Sequence, residues 1–287
     1  EGKQGNIVGR PVFSRGTSLI HTARSLGVDE ILVAVSERRG GVLPLRELID
    51  CRLNGIRVFD LATYFEQRLG RIPIDSLKAS WLVFGGGFRH DFLRKMVKRA
   101  FDVTCSLILL IATLPVMALT ALLIMLECGF PLFYRQQRVG QNNRPFDVLK
   151  FRSMCNDAEK DGKPVWAGRN DSRVTRVGKV IRKLRIDELP QLLNVLKGEM
   201  SLVGPRPERP FFVEELTTAI PFYAVRHALK PGVTGWAQVC YHYGASKEDA
   251  ARKLEYDLYY VKNHCLSFDF HILFKTVHVV LTGKGAQ

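Results

Sequence analysis

Residues 103–126 carry no charged side chain, and this run limits what the chain can fold into more than any other feature. A helix over it reaches about 36 Å at the helical rise, more than the roughly 30 Å apolar core of a bilayer. Soluble core helices rarely run so long without a charge, so the run predicts insertion into a membrane. Insertion is not spanning, however. Pro115 lies near the middle, where it deletes one backbone hydrogen bond and crowds the preceding turn, so the helix is expected to bend or break there. Lys95, Lys98 and Arg99 precede the run, and Arg135 and Arg138 follow it. Basic clusters at both ends put both ends on the cytoplasmic side. A re-entrant helix over about 100–127 satisfies this, whereas a spanning helix strands one cluster. A second apolar run, 270–281, has His271, Lys275 and His278 interspersed; it suits a helix lying against lipid or, equally, a terminal core helix.

Outside these runs the balance of charge is strongly basic. Against 28 Asp and Glu there are 42 Lys and Arg, a formal charge of +14 over 287 residues, in a chain that is 46% hydrophobic. That apolar content can bury a core, so extended disorder is excluded and one large or two ordinary domains are expected. The surplus calls for an anionic partner: nucleic acid, an acidic membrane or a phosphorylated substrate. Six dispersed cysteines form no CxxC pair, which argues against a zinc ribbon or a disulfide scaffold and for a reducing compartment. The chain opens at Glu1 with no basic-then-apolar leader, and so reads as a trimmed fragment.

The first part reads as strand, helix, strand: 31–35, 44–53 and, after Asn54-Gly55, 56–60. A parallel pairing is expected, but the GxGxxG fingerprint of a dinucleotide site is missing. Gly85-Gly86-Gly87 marks a boundary at 88, giving a structural or regulatory α/β piece over 1–88 and a second domain over 89–287.

Candidate chemistry lies in the second part. Lys150 and Arg152 share one face of an extended segment. Arg173, Arg176, Lys179, Arg182 and Arg185 recur at threes and make a basic stripe on a helix, either for phosphate or as a solvated or headgroup-facing surface. The stripe runs into Asp187 and Glu188, and then Pro190. Either acid suits the N-cap of a helix over 191–196; equally, two carboxylates among cations suit a meeting point for a phosphorylated substrate and a divalent metal. Arg206, held between Pro205 and Pro207 in the loop 198–207, is aimed to clamp a phosphate. The turn 230–235 offers backbone amides as an anion nest. Glu255, Asp257, Tyr259 and Tyr260 share a helix, as core or as site wall. No P-loop, HExxH or GxSxG is present, and the fold signatures of nucleic-acid binding are missing, so no nucleic-acid partner is expected.

Taken together and in order, Lys98-Arg99-Ala-Phe-Asp102, the Pro-interrupted run, Lys150-Phe-Arg-Ser-Met154, Asp187-Glu-Leu-Pro-Gln191, the 198–207 loop, Pro231-Gly-Val-Thr-Gly235 and Glu255-Tyr-Asp-Leu-Tyr-Tyr260 resemble the bacterial sugar transferases. These are monotopic polyprenyl-phosphate glycosyl-1-phosphate transferases, and the match runs from about Met96 to the C-terminus. The resemblance implies a mainly α, membrane-associated catalytic domain with a Pro-broken re-entrant helix, on the cytoplasmic face of the bacterial inner membrane. It implies transfer of a hexose-1-phosphate from a UDP-sugar to polyprenyl (undecaprenyl) phosphate, with release of UMP, to begin exopolysaccharide or O-antigen synthesis. In the family the residue matching Asp187 is the nucleophile that carries the phosphosugar, and the one matching Glu188 binds Mg²⁺. Lys150, Arg152, Arg182, Arg206 and Asp257 match polar residues around the phosphates. The first part resembles the end of a Rossmann-like module in longer members, with regulation or homodimer contacts expected there. Two alternatives stay open: a catalytically inactive scaffold binding anionic lipid, and a one-step glycosyltransferase releasing UDP.

Overall fold

The computed structural model describes residues 6–7, 10–11, 18–34, 43–77, 91–155, 173–241 and 246–282. The chain divides into two compact units, Glu1–Ala79 and Ser80–Gln287. The boundary expected at Gly85-Gly86-Gly87 lies outside the described residues.

In the first unit, β1 (Asn6–Ile7) and β2 (Arg10–Pro11) pair antiparallel. After α1 (Leu19–Ser25) come β3 (Glu30–Val33), α2 (Leu45–Leu53) and β4 (Arg57–Asp60). β3 and β4 pair in parallel, Glu30 opposite Arg57 and Val33 opposite Asp60, as the strand–helix–strand reading expects. Gly55 takes φ +86°, and this left-handed residue turns the chain from α2 into β4. Asp60 caps α3 (Leu61–Leu69) by accepting from the Thr63 amide at 2.9 Å. Ala23, Cys51 and Ile56 form a small core. Among the described residues of this unit, parallel pairing stops at these two strands.

The second unit begins with the uncharged run, which lies inside one helix, α4 (Phe92–Cys128). The break expected at Pro115 is not there: α4 continues through it. A proline removes one bond of the ladder, and the turns on either side keep theirs; Thr113 Oγ1 also donates to the Leu109 carbonyl at 2.7 Å. Only 11% of its most apolar window is buried, and Leu107, Ile111, Leu114 and Leu119 are exposed. Side chains near both ends nevertheless tie the helix to the unit. Lys98 pairs with Asp102 at 3.2 Å and Asp269 at 2.8 Å, and Arg99 donates to the carbonyls of Val195 and Leu196. At the other end Arg152 donates to the carbonyls of Cys128 and Gly129 at 2.9 and 2.7 Å, where a cation complements the helix dipole.

A hairpin follows, β5 (Phe133–Val139) against β6 (Pro145–Phe151). Asn142 and Asn143, at φ 55° and 60°, make its turn, since asparagine tolerates the left-handed region. Next come α5 (Arg176–Lys183), α6 (Gln191–Lys197), β7 (Ser201–Val203), α7 (Pro210–Ala219), β8 (Gly232–Thr234) and α8 (Trp236–Cys240). The unit closes with α9 (Lys247–Asn263) and α10 (Leu266–Thr282). A capping box between Ser246 and Asp249 starts α9. Val148, Leu192, Val195, Met200, Trp236, Tyr260 and Ile272 converge in the main core, each large side chain contributing about 1.5–3 kcal/mol by burial. The unit is therefore mainly helical, with two-stranded sheets as seams. All six cysteines are free thiols.

Two of the turns read from sequence are in fact partners. β7 and β8 pair in parallel, Ser201 opposite Gly232 and Val203 opposite Thr234. The approach is so close that a Cβ on Gly232 would collide with the Gly204 backbone. The anion nest expected over 230–235 is overturned by this pairing: the Gly232 amide is used by the Pro205 carbonyl at 3.0 Å, and that of Gly204 by Thr234 at 2.9 Å.

Candidate active site

The acidic pair sits where one helix stops and the next has not begun. α5 ends at Lys183, and Arg185 takes left-handed angles, φ 59° and ψ 17°, at a cost of about 1–2 kcal/mol for a residue with a Cβ. This reversal opens a 3₁₀ turn, Ile186–Glu188, that carries both acids. The cap position of α6 is held by Pro190, and no side chain accepts a bond there. The capping alternative therefore fails, because Leu189 and Pro190 separate the carboxyls from the first amides of α6. The basic stripe is divided as well: Arg173 precedes α5 and Arg185 leaves it.

Asp187 and Glu188 are both buried, at 8% and 7% exposure, yet their surroundings differ. Glu188 Oε1 accepts from Arg206 Nη2 at 2.7 Å and from Lys150 Nζ at 3.2 Å, with Arg185 Nη1 at 3.7 Å. Burial alone would raise this carboxyl, but Arg206, Lys150 and Arg185 outweigh it and hold it well below the ordinary range. Asp187 Oδ1 is buried with no hydrogen-bond partner. Burial first, and the negative charge of Glu188 second, push the Asp187 carboxyl up to about 6. Lys150, by contrast, is pushed down, chiefly by burial.

The three cations reach Glu188 from different elements. Lys150 is on β6, opposite Tyr134 of β5. Arg185 follows α5. Arg206 follows β7, between two prolines, and its carbonyl is held by Arg226 Nη2 at 2.8 Å. Arg226 is itself buried and fully engaged. Its Nε and Nη2 contact Asp257 Oδ2 at 3.0 and 2.7 Å, and its Nη1 donates to the Tyr223 hydroxyl at 2.7 Å.

Sequence-expected residues thus separate into two groups. Asp187, Glu188, Lys150 and Arg206 come together. Arg152 is at the C-terminal end of α4, and Asp257, 1% exposed, lies behind the Arg206 loop in its pair with Arg226. Arg152 bonds the carbonyls of Cys128 and Gly129, and Asp257 pairs with Arg226, which holds the Arg206 carbonyl. Arg182 is half-buried on α5, and its side chain makes no hydrogen bond or ion pair among the described residues. Arg226 was missed because Val225 and His227 beside it carry neither turn chemistry nor periodicity, and only its long-range partners reveal it.

Chemically, the pair leaves carboxylate oxygen unspent. Asp187 Oδ1 has no donor, and the contacts of Glu188 with Lys150, Arg185 and Arg206 all fall on Oε1. Hard oxygens of this kind fit Mg²⁺, which takes one or two carboxylates and completes its shell from phosphates and water. Among the described residues no cluster of three His, Cys, Asp or Glu could hold a metal by itself. A cation bound here would draw on substrate oxygens.

Against known proteins, the family model described as bacterial sugar transferase matches residues 93–283. The chain is 46% identical over 242 residues, 84% of its length, to the UDP-N-acetylgalactosamine-undecaprenyl-phosphate N-acetylgalactosaminephosphotransferase of Aeromonas hydrophila, covering 56% of that protein. It is 39% identical over 196 residues to the UDP-glucose:undecaprenyl-phosphate glucose-1-phosphate transferase of Escherichia coli, 68% of this chain and 42% of the relative. It is also 41% identical over 199 residues, 66% of its length, to the exopolysaccharide production protein PSS of Rhizobium leguminosarum, 98% of which it covers. The chain thus spans about half the length of the first two relatives.

Proposed function

The chain belongs to the bacterial sugar transferase family, and from that premise we propose that it transfers a sugar-1-phosphate from a UDP-sugar to undecaprenyl phosphate, through a phosphosugar carried on Asp187. The observation that carries this reading is the unpartnered, buried Oδ1 of Asp187 beside a Glu188 already saturated on one oxygen by three cations. A nucleophile must keep its lone pair unspent, whereas a purely structural carboxylate spends it on donors.

In the first step Asp187 Oδ1 forms a bond to the β-phosphorus of the nucleotide sugar while the anhydride P–O bond breaks, and UMP leaves with that electron pair. In the second, a phosphate oxygen of the polyprenyl phosphate attacks the same phosphorus, and the aspartyl carboxylate is released. Arg206, Lys150 and Arg185 supply the positive field that a dianionic anhydride needs before a carboxylate can approach it. Glu188 is the residue that would hold Mg²⁺, which when bound neutralises phosphoryl oxygens. The relatives are named for different sugars, glucose and N-acetylgalactosamine, so the donor is a UDP-hexose of either kind.

Supporting a membrane site, α4 exposes its apolar middle while both its ends are bonded to the same unit. A spanning helix separates its ends by a bilayer; ends held by one unit favour a helix that stays helical through Pro115 but bends there, entering and leaving one face, with the catalytic unit on the cytoplasmic side of the inner membrane. The parallel β3–α2–β4 piece is read as the end of a Rossmann-like module with a regulatory or dimer-forming role.

The test is rapid acid quench after mixing enzyme, Mg²⁺ and UDP-sugar labelled in the β-phosphate, with glucose and N-acetylgalactosamine donors in parallel. Label on the protein and UMP in solution are expected, both lost in Asp187→Asn. Product formed with UDP released and no labelled protein would establish one-step transfer instead.

A further inference from the structure

The last helix presents a face that the reaction does not use. On α10, Phe270, Phe274 and Val277 are exposed, at 58%, 78% and 57%, and at spacings of four and three they share one side of the helix. Ile272, at 0%, and Asp269, at 1%, lie on the opposite side, against the unit. Three large apolar groups side by side in water make a patch that calls for a cover.

The position of α10 identifies the cover. The Phe270 ring meets Phe101 of α4 edge to face, with centroids 5.0 Å apart. Asp269, next along, takes the Lys98 ammonium at 2.8 Å, and Tyr260 donates to Asp269 at 2.7 Å. The start of α10 is therefore locked to the basic, entering end of α4, the helix whose middle is apolar and exposed. His271 and His278 flank this face and are exposed, while Lys275 turns back over the buried Trp236 ring at 4.7 Å. An exposed apolar face flanked by polar imidazoles is the composition of a helix lying in the headgroup region.

We infer that α10 is a second membrane-binding element, lying along the interface with Phe270, Phe274 and Val277 in the acyl boundary of an anionic phospholipid bilayer. It would fix the tilt of the catalytic unit against the surface, with α4 as the first point of attachment. This rests on the membrane reading of α4, and the experiment separates the two. Benzoyl-phenylalanine is placed singly at Phe274, at Leu114 of α4 and at the exposed Glu248 of α9 in the full chain, reconstituted in phosphatidylglycerol-containing nanodiscs and irradiated. Mass spectrometry of the peptides then identifies what each position captured. Phospholipid adducts are expected at positions 114 and 274, the latter about tenfold above position 248. Lipid at 114 with capture of a second copy at 274 overturns the inference in favour of a dimer contact, and lipid at 114 with nothing at 274 overturns it in favour of a solvated face. Failure at both positions overturns the membrane reading together with it.

Discussion

Two buried acid–cation clusters lie on either side of Arg206, and they are built to opposite ends. In one, Asp257 and Arg226 satisfy each other, with Tyr223 and the Arg206 carbonyl taking the remaining donors. In the other, three cations converge on one oxygen of Glu188, and Asp187 beside it is left with a bare Oδ1. The first resembles a hinge pin: closed, dry and directed at the backbone of the loop. The second keeps charge and lone pairs in reserve, which costs stability and is what a phosphorylated substrate would use. The same residue types therefore serve as scaffold or as chemistry according to whether their bonds are spent inside the protein.

The sharpest way to break this contrast is Asp187→Asn. Turnover and protein labelling should fall by about 10⁴-fold or more, as for other lost nucleophiles, while the thermal midpoint rises by a few degrees because an uncompensated buried charge is gone. A lower midpoint would show that Asp187 is a structural acid after all. Asp257→Asn should behave in the reverse sense. Removing one partner of a buried ion pair costs about 3–5 kcal/mol, seen as a large drop in urea midpoint. Activity should fall through kcat rather than through complete loss of labelling, since Arg206 is displaced and not removed. Unchanged stability in this variant would dissolve the distinction between the clusters.

The smallest effect is a pH dependence. Because the Asp187 carboxyl is raised to about 6 from an ordinary value near 4, the folded state holds its proton more tightly than the unfolded chain does. The destabilising contribution is then complete above about pH 6 and disappears as the pH falls towards 4. In metal-free buffer the stability of wild type relative to Asp187→Asn should improve by roughly 1–3 kcal/mol across that window. Parallel curves for the two proteins would place the titration elsewhere.

Some of this was legible in the chain. The uncharged run, the alternation that sets Lys150 on β6, and the strand–helix–strand of the first unit are local patterns, and local patterns survive folding. Arg206 was recognisable because two prolines frame it. The pairing of β7 with β8 was not, since glycines 204 and 232 have no side chain to advertise how closely two backbones meet. Nor was the role of Asp257, which depends on an arginine 31 residues earlier in the chain.

By itself the sequence determined where apolar helix, basic surplus and adjacent carboxylates would be, because hydropathy and charge are properties of residues in order. Only tertiary structure decided which acid is spent and which is spare. Desolvation and hydrogen-bond saturation are set by neighbours brought from α5, β6 and the loop after β7, and no window of sequence contains them all.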